Sequence, residues 1–217
     1  RPGTEVVVID AVMVFLALFG VEAHGHGYAV VALALDVVFD SVSLGTTFRE
    51  TLEEAGVAYE ARPVDFGNKE QMSEAYLKIN PKARVPALIT PQGILTETCA
   101  ILAYIAQNWP QSGLAPTETF EFARAQEFNS YLASTVHVAH AHRKRGSRWA
   151  DDEAAQESMR QKVAANMAEC MNLIETEYFT GPYVLGDQYS ICDPYLFLIS
   201  GWLPGDGVNP DNFPKIA

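Results

Sequence analysis

Cysteine is scarce in this chain of 217 residues. Its three cysteines, Cys99, Cys170 and Cys192, are odd in number and lie far apart in the sequence. They form neither a CxxC motif nor a Cys/His spacing of the kind that binds zinc, which disfavours a disulfide framework and a metal site. We therefore expect reduced thiols that fill space as small hydrophobic side chains, in a cytoplasmic protein.

Basic residues are also few. The chain has 15 Lys and Arg residues against 27 Asp and Glu residues, a formal net charge of −12. An acidic protein is repelled by the phosphate backbone of nucleic acids, so a nucleic-acid partner is not expected.

Long apolar runs are missing as well. The stretch from Ala11 to Val21 is apolar, but Asp10 and Glu22 bracket it and leave it too short to span a bilayer. It is typical of a buried strand or helix, with the core of a signal peptide as the alternative. We expect no membrane association, and residues 1–29 form an atypical N-terminal segment.

From residue 30 onward, strand and helix signals alternate. The hydroxyl-rich stretch 41–47 is typical of a turn, Gly56 ends the helix that follows, and Pro91 to Gly93 indicates a hairpin. The predicted order is a strand at 30–39, a helix up to residue 56, a strand at 57–66, a helix at 69–79, strands at 85–90 and from 93, and a helix from about 96. This order is βαβ, then a helix, then ββα.

The second half is predicted to be helical. Residues 107–116 contain Pro and Gly without periodicity and are typical of a linker. Helices are predicted over 120–144, 151–178 and 190–203. In the last of these, Ser190 and Asp193 form a capping box, in which Ser190 accepts from the Asp193 N–H and Asp193 accepts from the Ser190 N–H.

Three segments resemble one known family. They are NPKARVPALITPQGILTETCAILAYIA (80–106), GPYVLGDQYSICDPYLF (181–197) and LEEAGVAYE (52–60). They are similar to cytosolic glutathione S-transferases, within them to the bacterial beta-like group. The resemblance implies an α+β/α fold, with a thioredoxin-like βαβ-ββα domain over 30–108 and an all-helical C-terminal domain over 117–217 that lacks the family's last helix. It also implies a homodimer.

The resemblance places a glutathione site on four residues. Pro86 would be cis, and the backbone of Val85 would pair with the cysteinyl part of glutathione. Thr98 would bind the γ-glutamyl carboxylate at a helix start, where free N–H groups favour an anion, and Glu97 would bind the α-ammonium. The alternatives are an ordinary trans proline at a strand edge and a simple helix cap.

The segment expected to activate the thiol departs from the family pattern. The positions at which beta-like members often carry Cys and Ser fall on Leu44 and Gly45, which cannot act through their side chains. Ser43 is the nearest hydroxyl and becomes the catalytic candidate, with a turn and helix cap as the alternative. His137 corresponds to a family histidine near the glutathione sulfur, and Ser134 to a position that reaches glutathione, in some members across the dimer.

The region around His137 is rich in basic side chains. His140 lies three residues further along the same side of the helix, but no third ligand is near, so no metal is expected. Arg143, Lys144, Arg145 and Arg148 either attract an anionic ligand or simply neutralise a helix C-terminus, and the second interpretation is favoured.

The function implied by the resemblance is a glutathione transferase. Glutathione would serve as co-substrate, and its thiolate would attack an electrophilic, mostly apolar small molecule. The main alternative is a glutathione-binding carrier or interaction protein with weak catalysis, since the activating turn departs from the family. A glutathione-dependent isomerase or thiol–disulfide exchanger is a narrower option, and the lack of a cysteine near Ser43 disfavours exchange.

Overall fold

The computed structural model of the chain describes residues 35–40 and 44–216. The predicted N-terminal segment 1–29 and the catalytic candidate Ser43 lie outside the described residues.

One mixed sheet carries the first half of the fold. Its order is β2-β1-β3-β4, in which β1 pairs parallel with β2 and antiparallel with β3, while β3 and β4 form an antiparallel hairpin. The strands are β1 Leu35–Asp40, β2 Tyr59–Val64, β3 Ala87–Thr90 and β4 Gly93–Thr96. The parallel pair requires a crossover, and a helix supplies it.

That crossover helix is α1, Leu44–Glu54. It starts inside the stretch predicted to be a turn, so that prediction is wrong from Leu44 onward. Threonine is compatible with the helix here because the fold provides acceptors for the hydroxyls of Thr47 and Thr51. Thr47 is buried and donates to the Pro194 carbonyl at 3.1 Å, while Thr51 donates to the Thr47 carbonyl at 2.7 Å. Gly56, with φ 68°, follows the helix as expected.

Two helices flank the hairpin. The helix predicted over 69–79 is divided into a 3₁₀ turn, Glu70–Met72, and α2, Glu74–Ile79. The division falls at Ser73, whose hydroxyl caps the helix by accepting from the Tyr76 N–H at 3.1 Å. After the hairpin comes α3, Thr98–Asn108. The prediction that Glu97 lies in the first turn of this helix is wrong. Glu97 precedes the helix, with φ 75° and ψ 128°.

The second half is helical, as predicted, with more interruptions than the sequence indicated. The α-helices are α4 Thr119–Tyr131, α5 His137–Arg145, α6 Glu153–Gln161, α7 Val163–Leu173 and α8 Asp193–Ser200. A π-helical turn, Leu132–Val136, joins α4 to α5, and another, Ile174–Tyr178, extends α7. The helix predicted over 151–178 is divided at Lys162.

Both halves share one hydrophobic core. Fully buried side chains from α1, α3, α4, α7 and α8 belong to a single cluster that includes Phe48, Leu102, Phe128, Met167 and Tyr195. The predicted fold class, a thioredoxin-like βαβ-ββα unit followed by helices, is confirmed. The boundaries at 30–108 and 117–217 stay a prediction, because this core runs across them. None of the helices in residues 35–40 and 44–216 is long and apolar enough to cross a bilayer.

The start of α8 is held by a partly buried carboxylate. Asp193 accepts from the Ser190 N–H at 2.7 Å, from the Ser190 hydroxyl at 2.9 Å and from the Val184 N–H at 2.8 Å. The predicted bond from the Ser190 N–H to the Asp193 carboxylate is therefore present. The predicted bond from the Asp193 N–H to the Ser190 hydroxyl is wrong, since that hydroxyl accepts from the Cys192 N–H, at 3.2 Å.

Candidate functional site

A cleft of about 810 Å³ lies between the loop that precedes β3, the start of α3 and one side of α5. Four of the predicted site residues besides His137 meet there: Val85, Pro86, Glu97 and Thr98. His137 faces them from α5. The fold therefore brings residues that are far apart in sequence around one space, as a ligand site requires.

The loop before β3 presents a strand edge to the cleft. Its Val85–Pro86 peptide is cis, as the resemblance implied. The loop is held from behind, because Tyr76 Oη and Asn80 Nδ2 both donate to the Arg84 carbonyl at 2.6 Å. Burial raises the pKa of Tyr76 to about 12, so its hydroxyl keeps the proton that it donates. Within the described part of the chain, the Val85 N–H and C=O have no hydrogen-bond partner.

The start of α3 forms the opposite end of the cleft. Thr98 is buried at the first helical position, where the N–H groups of a helix are unsatisfied. Glu97 is exposed, and its carboxylate forms an ion pair with Lys82, which also donates to Thr96 Oγ1 at 2.7 Å. A non-glycine residue with φ 75° is rarely tolerated, and such strain is concentrated at functional sites.

The π-helical turn Leu132–Val136 comes immediately before His137. Such turns insert an extra residue into a helix and often lie at functional sites. Here the turn leaves Ser134 exposed, and Ser134 is not among the residues that line the cleft, whereas Ala133 and His137 are. Within this single chain, the predicted role of Ser134 therefore has no support from the geometry of the cleft.

The pKa of His137 is lowered to about 4. The largest cause is burial, followed by the electrostatic effects of Arg145, His140, Arg148 and Arg84. Arg145 Nη2 lies 3.5 Å from His137 Nε2, a position from which it can donate to a neutral ring. His137 is therefore a neutral imidazole at pH 7, not the imidazolium that would pair with a thiolate by charge.

This neutral state predicts a loss of stability in mild acid. The unfolded chain takes up a proton at His137 near pH 6.5 while the folded chain does not, so the free energy of unfolding falls as the pH falls from 6.5 toward 4. The contribution is about 3 kcal/mol at its full extent. Urea unfolding of the wild type and of His137→Gln at pH 7.0 and pH 4.5 measures it. We expect a smaller loss in the variant, and equal losses would contradict the assignment.

A second histidine of the cleft, His140, is held in place by a contact with a buried carboxylate. Its Nδ1 lies 2.7 Å from Oδ2 of Asp206, whose carboxylate is fully buried and also accepts from Arg143 Nη1 at 3.3 Å. The ring stacks on Trp202 with 4.2 Å between centroids. A Cβ at Gly205 would contact the Arg143 guanidinium, which would then have to move. His140 and Trp202 thus form a rigid wall of the cleft.

The basic cluster is divided between two tasks. Arg143 is used to pair Asp206, whereas Arg145 and Arg148 line the cleft together with Arg84 and Lys82. The favoured interpretation of the cluster, simple neutralisation of a helix C-terminus, is therefore incomplete for Arg145 and Arg148.

Cysteine chemistry is not indicated in this cleft. Cys99 lines it, but burial raises the pKa of the thiol, which donates to the Asn129 carbonyl at 3.2 Å. Cys170 and Cys192 are buried, again with raised pKa values. In the residues that the structure describes, no three His, Cys, Asp or Glu side chains come together as metal ligands.

Comparison with known proteins identifies the family. The model of the glutathione S-transferase N-terminal domain matches residues 37–107. A solved glutathione transferase homolog from Sulfitobacter, with bound glutathione, is 44% identical, with a TM-score of 0.81 over 85% of this chain and 89% of that one. This chain belongs to the glutathione S-transferase family.

More distant members of the family agree in fold. The bacterial beta class glutathione S-transferase of Sphingomonas chungbukensis is 26% identical, with a TM-score of 0.71 over 83% of this chain and 88% of that one. Glutathione S-transferase GstA of Escherichia coli O157:H7 is 26% identical over 77% of this chain and 81% of its own length. The predicted resemblance to bacterial glutathione S-transferases of the beta-like group is confirmed.

Sequence reasoning missed several residues of this glutathione S-transferase site. Lys82 and Arg84 stand inside the segment that carries the resemblance, and their proximity to Val85 was the available signal. Tyr195 and Trp202 come from the far end of the chain, as does the buried Asp206 beneath His140. No pattern in the sequence connects these three with the cleft, because only the packing of α8 and the turn after it brings them there.

Proposed function

We propose that this member of the family is a glutathione S-transferase that holds glutathione in the cleft and directs its thiolate at an electrophilic small molecule. The observation that carries the proposal is the meeting of Val85, Glu97 and Thr98 around one cleft, with His137 opposite. Each of the three matches a different part of glutathione: its peptide backbone, its ammonium group and its carboxylate.

Glutathione would bind as a short added strand. The unpaired N–H and C=O of Val85 would pair with the cysteinyl residue in antiparallel fashion. The hydroxyl and N–H of Thr98 would donate to the γ-glutamyl carboxylate at the positive end of α3. Glu97 would accept from the α-ammonium of glutathione. The α-ammonium and Lys82 would therefore compete for the Glu97 carboxylate.

Nearby positive charges would activate the thiol of glutathione by lowering its pKa. The charges of Arg84, Arg145 and Arg148 disfavour a proton on His137, and the same charges favour loss of a proton from a thiol beside it. Neutral His137 would donate an N–H to the thiolate. Ser43, outside the described residues, remains the candidate for a hydroxyl donor.

In the reaction, the thiol proton leaves to solvent and the thiolate attacks an electron-poor carbon. A carbon–sulfur bond forms, and with an aryl halide the halide departs with the electron pair of the broken bond. The cations around His137 would act by keeping the sulfur ionised near neutral pH, where free glutathione, with a thiol pKa of about 8.5, is mostly protonated.

Two measurements test this proposal. Calorimetric titration measures the affinity for glutathione, and absorbance follows conjugation of 1-chloro-2,4-dinitrobenzene across pH 5.5–9. We expect saturable binding and a rate that follows an apparent thiol pKa at least about one unit below 8.5. In Arg145→Gln this apparent pKa rises. If Ser43 donates a hydrogen bond to the thiolate, the apparent pKa also rises in Ser43→Ala and the rate near pH 7 falls, because such a bond favours the ionised form.

Binding without turnover would refute the transferase proposal and support the carrier alternative. The neutral state of His137 favours this alternative, because an imidazole with a pKa of about 4 is a poor general base at pH 7. A homodimer is also part of the proposal, with the exposed Ser134 reaching the partner's glutathione. Light scattering that finds a monomer at working concentration would remove that role.

A further inference from the structure

The cleft is positive inside a strongly negative protein. Lys82, Arg84, Arg145 and Arg148 line it, and Glu97 is the only carboxylate among its described lining residues. The chain as a whole carries a net charge of −12. Clustered charge of one sign in a cleft raises the local concentration of ligands of opposite sign. The residues of the cleft therefore select for anions.

The basic residues after α5 are placed by the fold. Gly146 packs against α6, where a Cβ would lie 3.3 Å from the side chain of Gln156, and Gln156 donates to the Ala150 carbonyl at 2.8 Å. Trp149 is held edge-on by His142, with 4.6 Å between ring centroids. These contacts anchor the turn that carries Arg148.

Two guanidinium groups of the cleft have no counter-charge among the residues that the structure describes. Arg84 and Arg148 have no described carboxylate within ion-pair distance, and each lines the cleft. The charge of Arg84 lowers the pKa of Arg148, after the larger effect of burial, so the two guanidinium groups are close enough to repel each other. Anionic groups bound beside them would relieve that repulsion.

Glutathione bound as proposed would not use all of these cations. Of its two carboxylates, the γ-glutamyl carboxylate would bind at Thr98, and the glycyl carboxylate can pair with Arg84 beside Val85. Lys82 is paired with Glu97. Arg145 and Arg148 come from the end of α5 and the turn after it, and the charges of both act on His137.

We propose that the electrophilic co-substrate is itself an anion, an aromatic or conjugated carboxylate whose carboxylate group binds to Arg145 and Arg148. The inference rests on the proposed function and departs from the expectation of a mostly apolar co-substrate. Trp149 and Trp202 supply flat apolar surface for the body of such a molecule. Guanidinium groups bind carboxylates through paired N–H donors, so orientation as well as affinity would follow.

A pair of unreactive ligands tests the proposal without turnover. The probes are 3,5-dinitrobenzoate and its neutral counterpart 1,3-dinitrobenzene, and quenching of tryptophan fluorescence measures binding with and without saturating glutathione. We expect the anion to bind about tenfold to a hundredfold more tightly, with the preference reduced at high salt. Equal affinities would overturn the proposal.

Two variants and a matched control locate the site. Arg148→Gln and Arg145→Gln are each expected to lower the affinity for 3,5-dinitrobenzoate about tenfold and to leave that for 1,3-dinitrobenzene nearly unchanged. Lys144→Gln removes the same charge from the same helix end, but Lys144 does not line the cleft, so it should leave both affinities unchanged. An equal loss in Lys144→Gln would mean that only the overall charge matters and would overturn the site.

Conjugation separates this proposal from the one it rests on. The reactive pair is 4-chloro-3,5-dinitrobenzoate and 1-chloro-2,4-dinitrobenzene, each compared with its uncatalysed rate. No acceleration of either compound would refute the transferase function, whereas the ligand titrations would still decide whether the cleft binds carboxylates. Acceleration of the neutral compound alone, with no preference in the titrations, would refute the anionic co-substrate.

Discussion

Replacing Glu97 by glycine is expected to lower the affinity for glutathione about tenfold to a hundredfold and to stabilise the fold by up to about 1 kcal/mol. The affinity falls because the α-ammonium loses its carboxylate acceptor. The fold gains because φ 75° and ψ 128° cost a non-glycine residue strain that glycine does not have. The lost ion pair with Lys82 is exposed and offsets this gain only in part.

Calorimetric titration and urea unfolding measure the two effects of Glu97→Gly. Ala83→Gly is the matched control, since Ala83 also lines the cleft and also has a positive φ, of 53°, but contributes no charge. It should keep the affinity and gain a few tenths of a kcal/mol to about 1 kcal/mol in stability. If Glu97→Gly bound glutathione as the wild type does, Glu97 would not be the ammonium site.

Replacing Asp193 by alanine is expected to destabilise the fold by about 3–4 kcal/mol. The Asp193 carboxylate accepts from the N–H groups of Ser190 and Val184, and its removal leaves both without this acceptor next to the buried start of α8. Each unsatisfied buried donor costs about 1–3 kcal/mol. Tyr195, which lines the cleft, is on α8, so glutathione binding should weaken together with stability.

Urea unfolding at pH 7 measures the change, with Asp187→Ala as the control. Asp187 is an exposed carboxylate in the same connection before α8, and its loss should change the free energy of unfolding by no more than about 0.5 kcal/mol. Asp193→Asn should fall between the two, because an amide keeps one acceptor oxygen. A change below about 1 kcal/mol in Asp193→Ala would contradict the role of this carboxylate.

The sequence predicted the parts of the fold that depend on local patterns. The hairpin around Gly93 follows from its turn residues, and α3 follows from its apolar spacing. The order βαβ-ββα and the later helices followed in the same way. Val85, Glu97 and Thr98 were found because they lie together in one short segment, and the fold places all three on the same cleft.

The rest could not be predicted because it depends on contacts between distant segments. The early start of α1 requires that Thr47 find the Pro194 carbonyl, 147 residues away in the chain. The anchoring of His140 requires Asp206, 66 residues away. The π-helical turn before His137 contains no proline or glycine that would predict it from the sequence. The positive charge of the cleft arises from Arg84 and Arg148, which only the tertiary fold brings together.

The most direct test of the glutathione site compares glutathione with cysteinylglycine, the dipeptide that lacks the γ-glutamyl group. Calorimetric titration of the wild-type protein measures both affinities under identical conditions. Since Glu97 and Thr98 would each supply a charge-assisted contact to that group, glutathione is expected to bind at least about a hundredfold more tightly. Equal affinities, or no binding of glutathione, would contradict the site at the start of α3.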